Sequence, residues 1–187
     1  MKIIGGQYRG RNFYMPKDIR PTQSVAREAL FDIMGQELTG LSFIDNFAGS
    51  GAMGLEALSR GATETVFVEK EPKFADLIRE NVGLLNIDHL ARTVNIEVLC
   101  ADSFASIKAL AVKGRHFDIV FVDPPYHREL GKKALKTLDA HDIVHPNSTL
   151  IIQHDTKEIL PEMSGRFLLF RKKKYGNSYF SIYHINN

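Results

Sequence analysis

Two short segments hold residue types that could do chemistry at their present spacing. Gly49-Ser50-Gly51-Ala52-Met53-Gly54 is a G-x-G-x-x-G run that follows an apolar, strand-like segment and opens a helical one. Glycines there permit a tight turn and let a ligand lie against bare backbone. Asp123-Pro124-Pro125-Tyr126 ends the apolar run Phe117 to Val122. Two prolines make a stiff turn lacking N–H donors, which leaves the Asp123 carboxylate and the Pro124 carbonyl as acceptors. Such a pair suits a substrate amine. The lone pair of an exocyclic nucleobase amine is delocalised into the ring; gripping its hydrogens favours a pyramidal nitrogen whose lone pair can point at an electrophilic methyl group. Tyr126 can then stack on the base. The plainer alternatives are a loop punctuator at Asp123 to Tyr126 and a glycine loop that NAD enzymes share.

Acidic residues distinguish the candidate ligands. Glu69 lies 20 positions after Gly49, at the end of the next strand, where an acid can hold ribose hydroxyls. Asp45, four positions before Gly49, faces a cationic amino group better than a pyrophosphate, which favours S-adenosylmethionine over NAD. Asp102, after the third strand, can accept from an adenine amino group while Phe104 lines the ring pocket. Asp45, Glu69, Asp102 and Asp123 thus all fall at the carboxyl ends of strands, the crevice side of an open α/β sheet. Separate helix caps and solvated loop acids are the alternative for any one of them.

The elements that must position these residues follow from periodicity. Strand-like runs occur at 43–47, 65–69, 96–99, 117–122 and 149–152, with helix-like segments near 53–60, 72–86, 103–113 and 128–140, Pro72 being suited to a helix N1 position. Strict alternation implies a Rossmann-like α/β fold with a parallel sheet covered on both faces. Phe167 to Phe170 and Tyr179 to Tyr183, joined through Tyr175-Gly176-Asn177-Ser178, predict a C-terminal antiparallel hairpin, for seven strands in all. Ser24 to Glu37 reads as an amphipathic helix with Val25, Ala29, Ile33 and Leu38 on one face and Leu30, Phe31 and Met34 beside it. Residues 1–15, with Gly5-Gly6 and Gly10, suit a small β-ribbon. The expectation is one domain over 1–187, made of a basic extension (1–22) and a catalytic core (23–187).

With 44% hydrophobic and 25% charged residues among 187, the composition is that of a folded globular chain and excludes collagen-like or disordered classes. Cys100 is the sole cysteine, which excludes an internal disulfide and fits a reducing, cytoplasmic setting. No apolar run approaches the ~20 residues of a membrane span, and no signal-peptide core is seen at the start. His141 and His145 have the i, i+4 spacing of a zinc helix, but Asp142 stands in place of Glu and Pro146 ends any helix, so no metal is expected. Charge is uneven: residues 1–20 carry +4 and residues 164–187 carry +5, leaving −7 on the 143 residues between them out of a total of +2. Basic ends on an acidic body suit phosphate-contacting arms, with solvated termini as the alternative.

Taken together, these motifs resemble the class I S-adenosylmethionine-dependent methyltransferases, and over nearly the whole chain the RsmD family of rRNA guanine-N2 methyltransferases. The resemblance rests on Ile3-Ile4-Gly5-Gly6 with Arg9-Gly10-Arg11, Arg20-Pro21-Thr22, Arg27 to Phe31, Asp45 with Phe47 to Gly51, Gly54 to Ala57, Val68-Glu69, Asp102, Asp123 to Tyr126, and Tyr175-Gly176. Asn46 and Gln153-His154 depart from the family pattern. The resemblance implies S-adenosylmethionine as cofactor, held by Asp45, Phe47, Ala48, Gly49, Ser50, Gly51, Gly54, Glu69, Lys70, Asp102, Ser103 and Phe104. It implies catalysis at Asp123, Pro124, Pro125 and Tyr126, and RNA contact through Arg9, Arg11, Arg20, Thr22 and Arg27. The implied reaction methylates the N2 amine of a guanosine in 16S rRNA, on naked RNA or a small-subunit assembly particle, by a cytoplasmic monomer without metal or membrane. Adenine-N6 methylation of DNA or RNA, an NAD oxidoreductase and a non-catalytic RNA-binding module are the other readings.

Overall fold

The computed structural model describes residues 1–16, 24–86, 94–126 and 129–186. The fold is α/β with a mixed eight-stranded sheet, mostly parallel, and a C-terminal antiparallel hairpin. The elements are α1 (Ser24–Met34), β1 (Ser42–Asn46), α2 (Ala52–Ser59), β2 (Glu64–Glu69), α3 (Pro72–Leu84), β3 (Asn95–Cys100), α4 (Ser103–Val112), β4 (Phe117–Val122), α5 (Leu130–Ala140), β5 (Val144–Asp155), β6 (Met163–Ser164), β7 (Phe167–Tyr175) and β8 (Ser178–Ile185). The anticipated strands and helices are all present. The eighth strand, β6, is only two residues long and pairs with Leu168 and Phe167, too short to leave a pattern in the sequence. The chain forms two compact units, Met1–Ala101 and Asp102–Asn187.

In the first unit β2 pairs in parallel with both β1 and β3, Asp45 opposite Phe67 and Glu69 opposite Cys100. Pro72 opens α3, as its fixed φ suits. Residues 1–13 form a minimal ribbon: Ile3 N donates to Arg11 O, Phe13 N donates to Met1 O, and one antiparallel bridge joins Lys2 and Asn12. This ribbon is part of the core. Ile3, Tyr8 and Phe13 are buried among Ala52, Leu55, Leu58, Phe67, Ile78 and Leu85. The expected apolar face of α1 is corrected: Val25 is 70% exposed, and the buried stripe is Ala26, Arg27, Leu30 and Phe31. A helix face shifts by 100° per residue, and the buried Arg27 concealed the true stripe from a reading that looked for apolar residues.

In the second unit β4 and β5 are parallel, β5 and β8 antiparallel, and β8 and β7 antiparallel. All but one residue of β4 is buried, as expected for a strand covered on both faces. Gly176 (φ 56) supplies the positive φ of the two-residue loop that sets Tyr175 opposite Ser178. Arg166 closes the end of α5, donating to Leu138 O and His141 O at 3.1 Å each and pairing with Asp142 at 2.9 Å.

Candidate functional site

The first unit builds a cradle at the carboxyl end of β1. Phe47 (φ 61), Gly49 (φ 57) and Gly51 (φ 79) take left-handed backbone in close succession, so the chain reverses within a few residues and enters α2 through Gly51. A Cβ on Gly54 would lie 2.2 Å from the Phe67 ring, so glycine is required for α2 to lie on β2. Asp45 is buried at the end of β1, and its Oδ2 accepts from Gly54 N at 2.9 Å. Glu69 Oε2 accepts from Gly49 N and its Oε1 from Glu71 N, both at 2.9 Å. A carboxylate has about four acceptor positions, so Glu69 keeps capacity for further hydroxyl donors. Two carboxylates beside a glycine loop repel a pyrophosphate and suit a ligand offering hydroxyls and an ammonium group. The donor set therefore fits S-adenosylmethionine better than a dinucleotide.

The other residues expected around the cofactor are distributed as follows. Ala48 N donates to Val68 O at 3.0 Å, and Ser50 is buried within the loop. Lys70 is exposed, with its ammonium 3.7 Å from Glu71. In the second unit Asp102 caps α4, its Oδ1 accepting from Phe104 N at 2.9 Å and Ala105 N at 3.0 Å. The cap alternative weighed for this residue is thus realised, and it fixes the start of the helix that bears buried Ser103 and half-buried Phe104. The Lys133 ammonium sits 4.1 Å from the Phe104 ring centroid.

The Asp-Pro-Pro-Tyr turn follows β4 directly, with Pro124 buried, Asp123 and Tyr126 half-buried and Pro125 exposed. Tyr126 is held by its hydroxyl: Gln153 Nε2 on β5 donates to it at 3.0 Å, and it shares a 2.8 Å hydrogen bond with Ser178 Oγ at the start of β8. Gln153, a departure from the expected pattern, therefore has a positional role that sequence reasoning missed. Its neighbour His154 is fully buried between Asp155 O at 3.0 Å and Ser181 Oγ at 2.8 Å, and burial lowers its pKa.

Of the residues expected to touch RNA, Arg20 and Thr22 lie outside the described residues. Arg27 is corrected. It is completely buried, donates to Lys2 O at 2.8 Å and to Met1 Sδ, and lies over the Phe13 ring. Burial lowers its pKa while Glu56 opposes the shift. Arg11, though exposed, donates to Leu85 O at 2.6 Å and lies over Tyr8, and Arg9 is exposed as well.

Sequence reasoning also missed what ties this ribbon to the glycine loop. Buried Glu56 on α2 accepts from Ile4 N and Gly5 N and pairs with Arg60 at 3.0 Å. A Cβ on Gly6 (φ 71) would overlap Ser59 O at 1.8 Å, so Gly5-Gly6 allows contact with α2 rather than flexibility. Buried Asn81 on α3 accepts from Tyr14 N and donates to Tyr14 O and to Ser50 O. One side chain thus joins the ribbon to the cradle. A polar residue within an apolar-periodic helix was the available signal.

The glycine cradle, the acid that ends β2 and the Asp-Pro-Pro-Tyr turn after β4 fit an α/β protein of the nucleoside-cofactor methyltransferase class. The family model described as Conserved hypothetical protein 95 matches residues 1–184, and the chain belongs to that family, the RsmD family anticipated from the sequence. The chain is 33% identical to ribosomal RNA small subunit methyltransferase D of Escherichia coli (strain K12) over 185 residues, covering 98% of this chain and 89% of that one. Among solved structures it is similar to the yhhF protein of Escherichia coli, with a TM-score of 0.83 at 30% identity, covering 100% of this chain and 98% of the other. A Thermus thermophilus protein gives the same TM-score, 0.83, at 29% identity, covering 99% of each chain.

Proposed function

We propose that this chain transfers a methyl group from S-adenosylmethionine to the exocyclic N2 amine of a guanosine in small-subunit ribosomal RNA. The observation that carries the reading is the rigid Asp123-Pro124-Pro125-Tyr126 turn at the end of a buried strand, its tyrosine anchored by Gln153 and Ser178. The small-subunit rRNA methyltransferase D of Escherichia coli, similar over nearly the whole chain, supports the choice of RNA. In this reading the protein works in the cytoplasm as a monomer, as one methyltransferase domain over residues 1–187.

When bound, S-adenosylmethionine supplies an electrophilic methyl group on a sulfonium. The Glu69 carboxylate would accept from its ribose hydroxyls, Asp45 would balance its amino group, and Phe104 and Asp102 would meet its adenine. Asp123 and the Pro124 carbonyl would accept from the two amine hydrogens and so leave the nitrogen lone pair free to meet an electrophilic methyl group. Orientation of this kind supplies much of the acceleration in a displacement that asks for no metal. Tyr126 stacks on the guanine, and Asp123 or solvent takes the proton that the nitrogen loses. The base must leave its stack to reach such a turn, which suits an RNA loop better than a paired helix.

Two variants test the reading. Glu69→Ala should weaken S-adenosylmethionine binding by the ~1.5 to 3 kcal/mol of hydrogen bonds to a charged group, measured by calorimetry. Asp123→Ala should abolish most turnover on small-subunit rRNA while cofactor affinity stays near normal, because the acceptor acts mainly in the transition state. Turnover within a few-fold of wild type would remove Asp123 from the reaction.

A further inference from the structure

From Phe167 to Ile185 the β7–β8 hairpin contains no acidic residue and four consecutive basic ones, Arg171, Lys172, Lys173 and Lys174, all exposed. The register divides these cations between two faces, because side chains alternate along a strand. Lys172 and Lys174 stand opposite Ser181 and Tyr179; Arg171 and Lys173 stand opposite Ile182 and Phe180. Phe180 in turn pairs with Gln153 and Ser178 with Asp155. Arg171 and Lys173 therefore share the face on which Gln153 and Ser178 hold the Tyr126 hydroxyl.

The far end of that face carries an exposed aromatic pair. The register slips between Leu169 and Arg171, so Phe170 is the extra residue of a bulge. Its ring stacks on His184 with centroids 4.4 Å apart and planes 14° apart, and the Arg171 guanidinium lies 5.3 Å from its centroid. Phe170 is nonetheless 55% exposed. Basic residues on an open edge strand can serve only to block aggregation, and β6 does cover just Phe167 and Leu168. That role calls for charge alone and gives no reason for an exposed phenylalanine at the end of the charged row.

We propose that the Tyr126 face of this hairpin binds the single-stranded RNA adjoining the target nucleotide. Lys173 and Arg171 neutralise successive phosphates, and a base stacks on the Phe170–His184 pair, the combination of cationic track and aromatic platform that suits single strands. Five residue steps along the strand lead from Phe170 to Tyr175, a span of roughly 17 Å at about 3.3 Å per residue. The inference rests on the rRNA reading above for the identity of its ligand, and on Tyr126 for the direction in which the strand runs.

The test compares two charge reversals with equal net charge on opposite faces. Binding of a labelled single-stranded RNA oligonucleotide is measured against salt for wild type, R171E/K173E and K172E/K174E, and the same proteins are assayed for methyl transfer to small ribosomal subunits. R171E/K173E should lose at least tenfold in affinity and lower the log–log salt slope by ~1.4, two contacts at about 0.7 each. K172E/K174E should stay within about threefold. Phe170→Ala should lose about tenfold with an unchanged slope, and R171Q/K173Q repeats the comparison should charge reversal disturb the hairpin. Equal losses for both reversals, or none for either, overturn the proposal, whether or not wild type methylates rRNA. Selective loss in R171E/K173E with no methyl transfer by wild type upholds the RNA surface and overturns the rRNA-methylation reading.

Discussion

The two basic ends of the chain have similar composition and opposite construction. In the N-terminal ribbon Lys2, Arg9 and Arg11 are exposed, but Arg11 is bonded to Leu85 O, and Arg27, which donates to Lys2 O, is fully buried with the Glu56 charge acting on it. In the C-terminal hairpin Arg171 to Lys174 remain on the surface, Arg171 beside the exposed Phe170 ring and Lys172 beside the half-buried Tyr179 ring. A sequence shows the count of cations but not their partners, and the partners decide whether a cation holds the fold or meets a ligand. The first segment connects to the glycine cradle through Glu56, Ser59 and Asn81. The second connects to the acceptor turn through Ser178.

Breaking the first connection should have the largest effect. Glu56→Ala leaves Arg27 and Arg60 buried without their carboxylate, and should cost about 3 to 5 kcal/mol in chemical denaturation, whereas Arg171→Ala or Lys173→Ala should stay within ~0.5 kcal/mol. Equal stability losses at the two ends would erase the distinction between them. Asn81→Ala comes next, at about 1 to 3 kcal/mol for the buried groups it leaves unpaired. It should also lower S-adenosylmethionine affinity by freeing Ser50 O; a stability loss with unchanged cofactor affinity would show that the ribbon only packs against the cradle. Arg9→Ala should reduce RNA affinity less than R171E/K173E does, and a larger loss would return the N-terminus to the role of RNA arm.

The smallest effect is one of pH. Burial lowers the His154 pKa, so the fold holds the ring neutral while the unfolded chain binds a proton near the ordinary 6.5. Stability from this source is complete above that value and is lost as the pH falls through and below it. Melting temperature should therefore decline from pH 7.5 to 5.5, and His154→Gln should flatten that decline. Asp142, whose carboxyl is held low by Arg166 and His116, acts only below the ordinary 3.8 and does not confuse the window.

The strands, helices and hairpin were legible because each left a period or a turn signal, as at Phe117 to Val122 and Gly176-Asn177. The cradle was legible because Gly49 and Gly51 take positive φ, which favours glycine, and Gly54 packs where a Cβ would meet the Phe67 ring. The buried stripe of α1 was legible only in part: Leu30 and Phe31 were placed beside the apolar face, but a fully buried Arg27 contradicts the hydropathy rule used to find it. Asn81 and Gln153 were not legible, because their roles depend on Tyr14, Ser50 and Tyr126, residues distant in sequence. Polar side chains that join separate segments leave no periodic trace.

The central claim is methyl transfer to a guanine amine, and it is tested most directly on the product. Small ribosomal subunits lacking the modification are incubated with the protein and S-adenosylmethionine, and the rRNA is digested to nucleosides for mass spectrometry. The account predicts N2-methylguanosine, formed by wild type and absent with Asp123→Ala. Finding N6-methyladenosine instead, or no methylated nucleoside at all, would contradict it.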